Sequence, residues 1–130
     1  MGRPPKNYSS VSDHPADNIP WEKLFKEADE EVQATIQSLP EAIQVEARKV
    51  PCILERWCPD GEGLLGLCAS FEPGMVSDAP GPLFLYLGEI HEECLEHGLD
   101  FRAEVRLTYL HELGHHLGLD EDELEERGIG

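Results

Sequence analysis

His111, Glu112 and His115 are the residues whose types and spacing could do chemistry. Residues four apart in a helix stand one turn from each other on the same face, so the imidazoles of His111-Glu-Leu-Gly-His115 can share one divalent ion, zinc first. Zinc lowers the pKa of a water molecule and polarises a carbonyl. Glu112, next to the first His, could accept the proton of an attacking water and later deliver it to a leaving amine, with no acyl-enzyme. The competing explanation is a chance His-Glu-x-x-His on a charged helix, whose histidines merely cap, pair or pack. Context favours the metal site.

Two histidines make half a tetrahedral site, so a third protein ligand is needed. Gly118 permits a sharp change of direction after the helix, which would bring Asp120 and Glu121 back toward the pair. Glu121 is preferred: its spacing is similar to that of the third His in the metzincins, a broad class of zinc endopeptidases, and a carboxylate oxygen is an acceptable zinc ligand. Asp120, or a remote carboxylate or His, stays open. His116 is rotated by about 100° from His115 on an ideal helix and is expected to pack or hydrogen-bond behind the site. Tyr109, Tyr86, His91 and His97 are chemically able to stabilise an oxyanion, although packing is the more ordinary role for each.

The helix holding the pair is expected to start from an Asp100 cap, to pack through Val105, Leu107, Leu110, Leu113 and Leu117, and to end near Gly118. A short helix over Ile90 to His97, closed by Gly98, precedes it. At the other end of the chain, Pro20 suits a first helical position, with Asn18 or Asp17 as cap. The stripe Trp21, Leu24, Phe25, Ala28, Val32 and Ile36 then predicts about four turns, with a core face preferred over a cofactor box. Ser38-Leu39-Pro40 interrupts, and Glu41 to Glu46 reads as a short helical turn. Between these helices lie three strand candidates, within Ala47 to Arg56, at Leu64 to Cys68 and at Leu83 to Leu87, the last ended by Gly88. A turn at Pro59-Asp60-Gly61 and a Gly/Pro-rich loop from Glu72 to Pro82 separate them. A final short helix follows Leu124 and stops at Gly128. Helices at both ends with strands between them make an α+β pattern, not repeated βαβ units.

The 130 residues fit one domain, 20–130, behind an aperiodic amino-terminal arm, 1–19. Acidic residues number 27 against 10 basic, and from Gly88 to Gly130 there are 13 against 3, so the carboxyl half carries −10 of the net −17. That field repels phosphate backbones and anionic membrane surfaces, which disfavours nucleic acid and lipid partners. Its simplest role is solubility, although it could also attract a basic protein partner. No apolar leader or membrane-spanning run is evident, and a cytoplasmic location is the expectation. Cys52, Cys58, Cys68 and Cys94 lack a Cys-x-x-Cys knuckle and read as separate residues, Cys52 and Cys68 as small buried side chains.

The chain resembles a family of small bacterial zincin-like metallopeptidases, long described only as a domain of unknown function. The resemblance covers about Val50 to Ile129: Val-Pro at 50 and 51, Leu-Leu-Gly-Leu at 64 to 67, the strand from Pro82 to Leu87, and Leu110-His-Glu-Leu-Gly-His-His-Leu-Gly-Leu119. It implies a reduced zincin fold, a small mixed sheet packed beside the active-site helix, and a zinc-dependent peptidase acting on a peptide or protein. The family's pattern continues with Asp in the slot that Glu121 holds here, followed by a Leu matched by Leu124. The alternatives are a metal-binding protein that engages a partner without useful proteolysis, and a hydrolase of nonpeptide amides.

Overall fold

The computed structural model describes residues 18–59, 63–68 and 81–118. Helix α1, Trp21–Ser38, buries Leu24, Ala28, Val32 and Ile36 of the predicted 3.6-residue stripe, leaves Trp21 and Phe25 half-buried, and also buries Thr35, which the stripe did not include. Pro20 stands at its cap and not at the first helical position; its carbonyl takes the Leu24 N–H at 3.0 Å, and no side chain caps the helix. Helix α2, Glu41–Arg48, is longer than the expected turn and takes Ala47 and Arg48 from the expected strand. Both are good helix formers, and the Ala47 side chain is fully buried. Pro51 then biases Val50 toward extended backbone, so strand β1 begins only at Cys52 and runs Cys52–Glu55.

Strands β2, Gly66–Cys68, and β3, Leu83–Tyr86, complete a three-stranded sheet in the order β1-β3-β2. β1 runs parallel to β3, with Cys52 opposite Leu83, and β2 runs antiparallel, with Gly66 opposite Leu85. The sheet is therefore mixed, as the family resemblance implies, and the fold α+β, as the order of elements in the sequence predicts. Leu83 and Leu85 on the central strand are fully buried.

Helix α3, Leu87–His97, follows β3 directly, so Gly88 lies inside a helix and does not end a strand. Crowding explains its glycine: a Cβ there would meet the Trp57 ring at 2.5 Å and the Arg56 carbonyl, which already accepts the Gly88 N–H at 2.7 Å. Glu89, beside it, accepts the Cys58 backbone N–H at 3.0 and 3.1 Å. Gly98 closes α3 in the left-handed conformation, as expected.

Helix α4, Phe101–Leu117, starts where the sequence indicates, with the Asp100 carboxylate accepting the Ala103 N–H at 2.9 Å. It ends at Gly118, whose φ of 74° favours glycine. Val105, Thr108, Tyr109, Glu112 and Leu113 form its buried stripe. Leu107, expected to pack, is 55% exposed: it precedes His111 by one turn, on the flank turned away from the sheet. Arg102 ties α4 to α1 through Glu30 at 2.7 Å, and this bond holds the Glu30 carboxyl below its usual range. No described helix is long and apolar enough to cross a membrane.

Candidate metal and catalytic site

His111 and His115 are exposed on the outer flank of α4, with ring centroids 4.3 Å apart and planes inclined by 66°. Glu112 lies one step around the helix, which places it on the buried stripe, and its side chain is only 12% exposed. Its Oε1 is 3.4 Å from His115 Nδ1. One ligand atom from each of the three residues can be chosen so that all lie within 4.8 Å of one another. The donor set suits a borderline divalent ion: two imidazoles face solvent on one helical turn, and a carboxylate is recessed beside them.

The seating of Glu112 depends on a residue outside the ligand motif. Gly66 of β2 faces α4, and a Cβ there would lie 2.8 Å from Thr108 Cγ2 and 3.2 Å from Glu112 Cγ. The sequence did hold a signal, since an isolated Gly inside a strand pattern marks close backbone approach. Thr108 is itself anchored, its Oγ1 donating to the Glu104 carbonyl at 2.7 Å.

The other sequence candidates divide by location. Glu121 and Asp120 lie outside the described residues, as do Leu124 and the short helix expected after it. His116 is half-buried. Tyr109 is fully buried with a hydroxyl lacking a hydrogen-bond partner, and burial, with nearby Cys52, raises its pKa. It stands roughly 200° around the helix from His111, which argues against a place in the site. Tyr86 is buried and stacks on Phe84 at 6.3 Å; His91 meets the Phe101 ring edge-on at 6.5 Å. His97 lies 3.5 Å from Glu93 on α3 and, with Glu96, forms a second cluster of possible ligands on that helix.

Of the cysteines, Cys58 and Cys94 are buried and Cys52 is half-buried, all three as free thiols. The side chain of Cys68 lies outside the described ones. The structure thus leaves Cys52 less covered than expected. It borders a cleft of about 290 Å³ between α1, α2 and β1, which keeps part of its surface open.

A family model described as zincin-like metallopeptidase matches residues 40–130. The chain belongs to this family, which implies a bound metal, usually zinc, and the His and Glu residues of α4 could hold one. A search of curated protein sequences returned no significant match.

Proposed function

We propose that the protein is a zinc-dependent peptidase in which His111 and His115 hold the metal, Glu121 completes the protein ligands, and Glu112 carries the proton. The observation behind this assignment is the contrast on one helical turn: two exposed imidazoles beside a carboxylate that is almost buried. A surface Glu would be solvated on all sides. A recessed one is held in a single orientation, as a proton-transfer group must be.

Zinc, when bound, would polarise the scissile carbonyl and make water a usable nucleophile near neutral pH. His111 and His115 then serve as neutral donors, fixed one turn apart by the helix. Glu112 accepts a proton from the attacking water on its free carboxylate oxygen and returns it to the departing amide nitrogen, so the residue is regenerated in each cycle. Strand β2 supports a peptide as substrate. Among the described residues it pairs on one side only, with β3, and it lies against α4 at Glu112. An extended chain added to its free edge would pass beside the site.

Glu112→Gln tests the assignment. The variant is expected to keep its zinc while turnover of a defined peptide library falls on the order of 100-fold or more. Equal turnover by wild type and variant would remove Glu112 from the chemistry. Stoichiometric zinc with every peptide left intact would favour a metal-dependent binding protein, and cleavage of small amides alone a nonpeptide hydrolase.

A further inference from the structure

We infer that Gly66 is a positioning residue for Glu112: by carrying no side chain, it lets the backbone of β2 clasp the stem of the carboxylate against α4. The inference rests on the proton-carrying role proposed for Glu112. Gly66 is not among the described glycines with positive φ, so its backbone conformation is open to any residue. Space is what demands glycine. An added Cβ would lie 2.8 Å from Thr108 Cγ2, 3.2 Å from Glu112 Cγ and 3.1 Å from the Phe84 carbonyl oxygen. The first two neighbours sit one turn apart on α4 and the third belongs to the central strand, so an added Cβ is crowded by two elements at once.

The clasp acts on the part of Glu112 that decides where its carboxylate points. With Cγ held against the strand, χ1 is fixed, and the carboxyl group keeps only the rotations about Cβ–Cγ and Cγ–Cδ. Its Oε1 lies 3.4 Å from His115 Nδ1, beside the histidine pair. Moving Cγ by a few tenths of an ångström would swing both oxygens, whereas His111 and His115, on the exposed flank, would stay in place. Gly66→Ala should therefore separate proton transfer from metal binding. A general packing defect would not make that separation.

The experiment compares wild type, Gly66→Ala and Gly66→Ala/Thr108→Ser for thermal midpoint, zinc content, the ¹³C resonance of the Glu112 carboxyl carbon, and kinetics on a peptide that wild type cleaves. In Gly66→Ala we expect zinc content to hold, KM to stay within about twofold, and kcat to fall roughly 10- to 100-fold as the Glu112 resonance moves. Thr108→Ser removes the methyl that makes the tightest contact and retains the hydroxyl bonded to Glu104. The double variant should recover the thermal midpoint but not kcat, because the contact with Glu112 Cγ persists. It also replaces the single variant if that one does not fold.

Recovery of kcat together with the midpoint would overturn the inference and leave Gly66 a packing residue. An unmoved Glu112 resonance in folded Gly66→Ala protein, with kcat unchanged, would overturn it equally. Should wild type cleave no peptide, the proton-carrying role falls by itself, and the clasp is then judged on the Glu112 resonance alone.

Discussion

Glu112 owes its depth to packing: a carboxylate that is only 12% exposed needs a helix stripe turned toward the sheet and a strand without a side chain above it. Cys52 shows the same dependence on surroundings. Burial, with the Asp29 carboxylate adding, pushes its thiol up from 9.0 to about 12. A raised pKa means that the folded chain keeps a proton the unfolded chain releases. The contribution is therefore fully present below about pH 9 and is lost as pH rises toward 12. In urea unfolding, Cys52→Ala is expected to flatten the decline in stability above about pH 9; Tyr109, also raised, contributes only from its higher ordinary value of 10.0. An unchanged alkaline slope would show that Cys52 is not desolvated as described.

Elements were legible where caps and periodicity agreed. Asp100 and Gly118 bracket α4 in the sequence and in the structure. Removing the Asp100 side chain should leave the Ala103 N–H without its partner and cost about 1 kcal/mol, measured by chemical denaturation; no loss would mean that solvent caps the helix equally well. Where two patterns overlapped, local reading failed. Ala47 and Arg48 fit an imperfect strand alternation, yet core burial of Ala47 draws α2 through them. Gly88 resembles a strand terminator, but it stands inside α3, and it is glycine because Trp57, distant in sequence, leaves no room for a Cβ. Leu107 fits the apolar period of α4 and still falls on the exposed flank with the histidines. Each outcome depends on tertiary packing, which no local window contains.

At the scale of the whole molecule, the mixed order β1-β3-β2 could not be read locally, since the parallel pair joins Cys52–Glu55 to Leu83–Tyr86 across the intervening β2. That order places β2 beside α4, and with it the glycine that seats Glu112. Few cations offset a net charge of −17, and Arg102 and Arg106 are used between α1 and α4, meeting Glu30 at 2.7 Å and Ser38 at 3.4 Å. The fold thus braces α4 from one side and shapes the carboxylate's seat from the other, while leaving the histidine pair in the open. Zinc content per folded chain, measured for the wild-type protein and for His115→Ala purified identically without added metal, tests that arrangement most directly. About one zinc is expected in the wild type, with loss of zinc in the folded variant. Wild-type protein that takes up no metal after zinc supplementation and dialysis, or a His115→Ala variant that keeps its zinc, would contradict it.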